Sequence, residues 1–139
     1  MLECLILGDS IAVGLNNARH ECSAYAKGGI NTWQWNNRYA TKDLSAKTVI
    51  ISLGSNDHQY IKTKRELETM RMLVKADKVY WILPHGNLPA SNVDITKVQN
   101  DIRLIASAYG DTVLPITGIS KDNIHPTGAG YKDLANKTR

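Results

Sequence analysis

Ser10 is a candidate nucleophile because it lies where a buried-strand pattern gives way to a helical one. Residues 5–16 read LILGDSIAVGLN, and the run of branched aliphatic residues stops at Gly8. Apolar residues then recur at helical spacing. At a helix N-terminus, the backbone N–H of a serine is free to point into a site, and the helix dipole favours negative charge there. The competing interpretation is that Ser10 or Asp9 caps the helix.

His125 and Asp122 are the residues that could activate Ser10. An acyl-transfer site needs a hydroxyl nucleophile, an imidazole base, a carboxylate that orients the base, and hydrogen-bond donors for the oxyanion. Asp122 lies three residues before His125. One loop could therefore hold the carboxylate against one imidazole nitrogen while the other nitrogen faces Ser10. Taken singly, both residues are ordinary loop residues, so the hypothesis depends on their combination.

Asn56 and Gly29 are candidate donors for the oxyanion. Asn56, in the motif GSND at 54–57, could donate a side-chain N–H, and Gly29 a backbone N–H. Glycine allows the backbone to approach a ligand closely. Gly28 competes for this role, and Gly29 is preferred because it lies farther past the strand end and precedes the helix-like stretch INTWQW. Each motif alone is ordinary turn chemistry.

Three further polar residues follow strand patterns near the same edge. We expect Asp57 to support the loop around Asn56 and His58 to be a surface histidine. His85 follows the fourth strand pattern and is the second candidate, after His125, for the catalytic base.

Trp33 and Trp35 follow the glycine pair. Residues two apart on a helix do not share a face. We expect one tryptophan in the core. The other is a candidate for the wall of a pocket, but core packing is the safer interpretation for it as well.

Alternating strand and helix patterns would position these residues. Short apolar runs predict strands at 2–7, 24–27, 48–53, 79–83 and 112–114. Helical patterns begin near Ser10, Asn31, Thr63, Val93 and Thr127. This alternation favours a parallel sheet covered by helices on both faces. The candidate residues each follow a strand, so they would meet at the carboxyl edge of the sheet, where ligands bind in such folds.

Four motifs together resemble those of the SGNH hydrolase superfamily, also called the GDSL esterases and lipases. GDSI at 8–11 resembles the first block of the family, and KGG at 27–29 the second. GSND at 54–57 matches the third block, Gly-x-Asn-Asp, and DNIH at 122–125 matches the last, Asp-x-x-His. The resemblance spans nearly the whole chain. It implies an α/β fold, a three-layer flavodoxin-like sandwich with a five-stranded parallel sheet, in a single domain over residues 1–139.

The resemblance also implies a function, that of a serine esterase with an acyl-enzyme intermediate. The chain is near the minimum length for that fold, so we expect short connecting loops and an open site, which suits short acyl groups such as acetyl. Ser10, Asp122 and His125 would be catalytic, and Ser10, Gly29 and Asn56 would form the oxyanion hole. No cofactor and no metal is expected, and the substrate would be a small-molecule or carbohydrate ester. The alternative is a catalytically silent module that binds acylated glycans. A nucleotide-binding domain of similar architecture lacks support because no Walker lysine follows Gly8.

The charge and hydrophobicity of the chain indicate which kinds of partner to expect. The chain has 139 residues, with 42% hydrophobic residues, 22% charged residues and a net charge of +4. Basic residues are interspersed with acidic ones, so no nucleic-acid partner is expected. No apolar run approaches membrane-spanning length. The chain enters a strand pattern at once, so we expect no signal peptide and a cytoplasmic or leaderless protein. The oligomeric state and the physiological ester stay open.

The two cysteines, Cys4 and Cys22, form no metal-site spacing. They could be neighbours on adjacent strands, but nothing in the sequence forces a disulfide. A buried free thiol is the expectation for Cys4.

Overall fold

A five-stranded parallel sheet runs through the molecule. The computed structural model describes residues 1–89 and 91–139. The strand order is β2-β1-β3-β4-β5, and every neighbouring pair is parallel. The strands are β1 (Leu2–Gly8), β2 (Ser23–Ala26), β3 (Ser45–Ser52), β4 (Lys75–Ile82) and β5 (Thr112–Leu114). The α/β fold with a flavodoxin-like five-stranded parallel sheet is therefore confirmed.

Within the described residues, five helices cover the two faces of this sheet. They are α1 (Ser10–Ala18), α2 (Thr32–Tyr39), α3 (Thr63–Leu73), α4 (Ile95–Tyr109) and α5 (Gly128–Lys137). Helices α1 and α5 pack together on one face, while α2, α3 and α4 pack side by side on the other. No helix in the described part of the chain is long and apolar enough to cross a bilayer.

The central strands are buried on both faces, which explains their continuous apolar sequence. In β1, Leu5 and Leu7 pack under α2, α3 and α4, whereas Ile6 packs under α1 and α5. All three side chains have no exposed surface. The sheet is thus a rigid base for the loops at its carboxyl edge.

The starts of β3 and β4 differ from the prediction. They begin at Ser45 and Lys75, before the predicted positions 48 and 79. The first residues of β4 are mostly exposed, yet Lys75 pairs with Ser45 in the register of the ladder. The first residues of these strands are partly polar and exposed, so they do not lengthen the apolar run. A prediction from the apolar run therefore makes each strand too short at its N-terminal end.

The chain crosses from one side of β1 to the other at the point where ligands bind in open parallel sheets. β1 leads to its neighbour β2 on one side, and β3 lies on the other side. Gly8 ends β1 with a φ of +150°, and a Cβ atom there would collide with the Ser52 carbonyl. Glycine is required here because β1 and β3 approach so closely.

Cys4 and Cys22 form a disulfide, so the expectation of a free thiol at Cys4 is wrong. The register pairs Leu5 with Ser23, and this brings the preceding residues side by side with their Cα atoms 4.9 Å apart. The sequence alone cannot supply this pairing, because it depends on β1 and β2 being neighbours in a defined register.

Reduction of this disulfide should destabilise the fold. The bond joins residues 18 apart, and removing such a cross-link costs about 3 kcal/mol of unfolding free energy. The melting temperature should then fall by roughly 10 °C for a chain of this size. Circular dichroism melts with and without a phosphine reductant measure the change. The double variant Cys4→Ala, Cys22→Ala is the control and should not respond to the reductant. An unchanged melting temperature after verified reduction of the wild type would contradict the prediction.

Candidate active site

A continuous chain of hydrogen bonds links Ser10, His125 and Asp122. Ser10 Oγ lies 2.8 Å from His125 Nε2, and His125 Nδ1 lies 2.6 Å from Asp122 Oδ2. Ser10 and His125 are 115 residues apart in the sequence. The fold therefore brings a hydroxyl, an imidazole and a carboxylate into the sequence of contacts that serine acyl transfer requires.

At the start of α1, Asp9 caps the helix and the next residue, Ser10, contacts His125. Asp9 is the N-cap, and its Oδ1 accepts the backbone N–H of Ile11 at 3.0 Å. Ser10 is the first residue of α1, so its side chain is left free for His125. Its backbone N–H is one of those that a helix leaves without an intrahelical acceptor. The capping interpretation thus holds for Asp9 and does not compete with a chemical role for Ser10.

A tight loop holds Asp122 in place. Asp122 Oδ1 accepts hydrogen bonds from Ser120 Oγ at 2.8 Å and from the backbone N–H groups of Ile124 and His125 at 2.8 and 2.9 Å. The His125 side chain, the His125 and Ile124 N–H groups and the Ser120 hydroxyl hold the pKa of this carboxyl well below its usual range. Asp122 therefore stays ionised at neutral pH, and the 47% exposure of its side chain also favours the charged form.

His85 does not contact Ser10 but supports the loop of His125. Its Nδ1 lies 3.1 Å from the backbone carbonyl of Asn123. The next residue, Gly86, is buried, and a Cβ atom there would collide with the same carbonyl. The segment after β4 thus forms the base of the loop at 122–125. Sequence reasoning missed this contact, because no local pattern shows which loops pack together.

Asn56 is tied to the segment that carries the glycine pair. Its Nδ2 donates a hydrogen bond to the Ile30 carbonyl at 3.1 Å, and the second N–H of the amide remains available. A Cβ atom at Gly28 would lie 3.9 Å from Ser10 Cβ, so this residue is next to the hydroxyl. Gly29 has a φ of +77°, which favours glycine, and apart from its chain neighbours no atom of the described residues lies within 4 Å of a Cβ built there. Both glycines are therefore open to a ligand.

Asp57 supports the surrounding loops, as expected. It accepts the Thr32 N–H at 2.8 Å and the Thr32 and Thr63 hydroxyls at 2.6 Å each. These bonds fix the N-termini of α2 and α3 against the loop after β3. Burial raises the pKa of Asp57, and the threonine hydrogen bonds counteract part of that increase. His58 is exposed beside Tyr60, also as expected.

The second oxygen of Asp9 is unusual. The side chain is fully buried, and Oδ2 accepts no hydrogen bond from any residue in 1–89 or 91–139. Burial raises the pKa of Asp9 to about 7, while the Ile11 N–H and the proximity of His125 limit the increase. A carboxyl group that carries a proton in mildly acidic solution therefore lies directly before Ser10.

One tryptophan lies in the core, as expected, whereas core packing, the preferred expectation for the other, is wrong for Trp33. Trp35 is fully buried in the core, and Trp33 is 54% exposed. Trp33 lines a groove of about 500 Å³ that also borders Gly28 and Gly29. The described residues contain no group of three or more side chains suited to hold a metal ion.

Solved structures share this fold, although no protein-family model and no curated protein matches the sequence. A GDSL-like lipase from Bacteroides thetaiotaomicron is 17% identical, with a TM-score of 0.72 over 97% of this chain and 84% of that one. A member of the lipolytic protein G-D-S-L family from Veillonella parvula is 15% identical, with a TM-score of 0.66 over 99% and 96%. The catalytic domain of peptidoglycan O-acetyltransferase A from Streptococcus pneumoniae is 19% identical, with a TM-score of 0.70 over 96% and 88%. The chain thus shares its fold with GDSL-like lipases, and this is the fold that its four motifs predict.

Titration of Asp9 should make stability fall as the pH rises. Its pKa is about 7 in the folded chain and near 3.8 when unfolded, so unfolding releases a proton between these values. The free energy of unfolding then decreases by about 1.4 kcal/mol per pH unit in that window. Asp9→Asn cannot titrate. The stability advantage of the wild type over this variant should therefore shrink by about 2–3 kcal/mol from pH 5 to pH 7.

Urea unfolding of both proteins at the two pH values measures this difference. Asp77→Asn, which removes an exposed carboxylate, is the control for loss of charge. An Asp9→Asn difference that stays constant with pH would show that Asp9 does not keep its proton in the folded state.

Proposed function

We propose that this chain is a serine esterase. Its substrates are carboxylic esters of short acyl groups such as acetyl. The observation that carries the proposal is the hydrogen-bonded chain from Ser10 Oγ through His125 to Asp122. Its support is the fold, which GDSL-like lipases share. Serine nucleophiles are weak at neutral pH unless a base accepts their proton, and the 2.8 Å contact with His125 suits that transfer.

Acylation begins when Ser10 Oγ attacks the ester carbonyl carbon and His125 Nε2 accepts the serine proton. The carbonyl electrons move to the oxygen, which becomes an oxyanion. The backbone N–H groups of Ser10 and Gly29 and the free side-chain N–H of Asn56 stabilise this charge. The ester C–O bond then breaks as His125 returns the proton to the leaving alkoxide. The acyl group remains on Ser10.

Deacylation repeats the same steps with water. His125 Nε2 accepts a proton from water as the water oxygen attacks the acyl carbon and a second oxyanion forms. The bond between that carbon and Ser10 Oγ then breaks, His125 returns the proton to Ser10 Oγ, and the carboxylic acid is released. Asp122 keeps Nδ1 protonated and stabilises the positive imidazole that forms in each half-reaction. Its lowered pKa means that it is negative throughout.

The preference for a short acyl group rests on the openness of the site. His125 and Asp122 have side chains that are 41% and 47% exposed. A long acyl chain gains little in such a site, because little of its apolar surface leaves water. One structural neighbour is described as a peptidoglycan O-acetyltransferase, which supports acetyl transfer on this fold.

Hydrolysis of p-nitrophenyl acetate tests the proposal. Ser10→Ala and His125→Ala should each lower kcat by roughly 10⁴-fold or more, because the two groups act as a unit. His85→Ala should cause a much smaller loss, since the hydrogen bond of His85 is to the Asn123 carbonyl and not to Ser10. His58→Ala is the matched surface control. A wild type without turnover refutes the esterase proposal. If His85→Ala were the inactive variant and His125→Ala active, the base would be assigned wrongly.

Asn56→Ala should act mainly on the transition state. Loss of one oxyanion donor lowers kcat by roughly 10²–10³-fold with little change in KM. The variant also loses the hydrogen bond to the Ile30 carbonyl, which is worth about 1 kcal/mol, so the melting temperature should fall by only a few degrees. Steady-state kinetics and thermal unfolding on this variant separate the two effects. A clearly destabilised protein with near-normal kcat would remove Asn56 from the oxyanion site.

A further inference from the structure

The groove beside Gly28 begins next to the proposed nucleophile. Gly28 and Gly29 form part of its lining, and a Cβ atom at Gly28 would lie 3.9 Å from Ser10 Cβ. Its volume of about 500 Å³ is within the range of small-molecule sites. A substrate whose ester carbonyl lies at Ser10 can therefore extend its alcohol portion into the groove.

An exposed aromatic face forms one wall of the groove. Trp33 is 54% exposed, whereas Trp35 on the same helix is fully buried. A tryptophan ring combines a large apolar face with a polar N–H, which suits a ligand that has both an apolar face and hydroxyl groups. The C–H face of a sugar ring has these properties.

Two side-chain amides in the groove each use either the oxygen or the NH₂ group in a hydrogen bond within the protein, and the other group of the amide is free for a ligand. Gln34 Oε1 accepts the Asn31 N–H at 3.0 Å, which leaves the NH₂ group of Gln34 as a donor. Asn37 Nδ2 donates to the Trp33 carbonyl at 2.9 Å, which leaves Asn37 Oδ1 as an acceptor. A fixed donor and a fixed acceptor on one helix match sugar hydroxyls, because a hydroxyl both donates and accepts.

The charge in the groove is positive. Lys27 and Arg38 line the groove, and none of its described lining residues is an aspartate or a glutamate. Neither of these two cations forms an ion pair with a described residue. Arg38 Nε donates to the Tyr39 hydroxyl at 3.1 Å, and the guanidinium lies over the Tyr39 ring. Its two terminal nitrogens remain free for the bidentate contact that guanidinium makes with a carboxylate.

We propose that the groove binds the sugar of an O-acylated sugar acid, with the ring on Trp33 and the carboxylate at Arg38 and Lys27. This inference rests on the proposed esterase function and names the substrate class of that same site. An anionic sugar could also carry a phosphate, which the same cations would attract. The two are distinguished by experiment.

Ester hydrolysis on three matched probes tests the proposal. They are the methyl glycosides of mono-O-acetylated glucose, glucuronic acid and glucose 6-phosphate, assayed by acetate release. At low salt, the kcat/KM of the wild type for the glucuronic acid ester should be about tenfold above that for the glucose ester. One charge-assisted hydrogen bond to the carboxylate accounts for a difference of this size. The preference should diminish in about 0.5 M NaCl, because salt screens exposed charges.

Variants assign the effect to individual residues. Arg38→Gln should remove most of the preference for the acid. Arg103→Gln, which removes an exposed cation on α4 outside the groove, should retain the preference. Trp33→Ala should lower kcat/KM on the glucose and glucuronic acid esters about tenfold relative to p-nitrophenyl acetate, and Trp33→Phe should restore most of the loss. Thermal unfolding of each variant checks that the fold is intact.

Binding measurements separate this inference from the esterase proposal. Calorimetric titration of Ser10→Ala with methyl glucuronide and methyl glucoside requires no turnover, and tighter binding of the glucuronide supports the groove even if the esterase proposal fails. Equal binding of the two glycosides overturns the inference. Equal kcat/KM values for the neutral and acidic esters overturn it as well. A preference for the phosphate ester over the glucuronic acid ester overturns the assignment to a sugar acid.

Discussion

The close approach of β1 and β3 at their carboxyl ends determines where the candidate residues lie. The Ser52 carbonyl accepts the Asp9 N–H at 3.0 Å and occupies the space that a side chain at residue 8 would need. The chain can therefore turn directly from β1 into α1, with Ser10 as the first helical residue. The same contact places the loop after β3, with Asn56, beside the start of α1. A bulkier residue at position 8 would separate the two strands and displace both loops.

Three aspartates around this point differ in their environments, and their proposed roles follow from that difference. Asp9 and Asp57 are buried, and burial raises the pKa of each. Asp122 is half-exposed and accepts hydrogen bonds from His125, Ile124 and Ser120, which lower its pKa. The carboxylate that contacts the imidazole is thus the one of the three whose pKa is lowered, which favours its ionised form. Asp9 and Asp57 instead fix helix N-termini, those of α1 and of α2 and α3.

The sequence predicts the sheet, the helices and the proximity of Ser10, Asp122 and His125, because these depend on strong local patterns. Buried strands are short apolar runs, and residues that follow parallel strands meet at one edge. The Cys4–Cys22 bond and the contact of His85 with Asn123 were not predicted. Both contacts depend on which segments become neighbours in the fold. The spacing of apolar residues along the sequence does not contain that information.

The central claim is that Ser10 is a nucleophile activated by His125. A fluorophosphonate probe forms a stable covalent adduct with a serine hydroxyl that has a neighbouring base. Incubation with the probe, proteolysis and mass spectrometric mapping should locate one adduct, on the peptide that contains Ser10, and Ser10→Ala should remain unlabelled. An adduct on another serine, or labelling that persists in Ser10→Ala, would contradict the account.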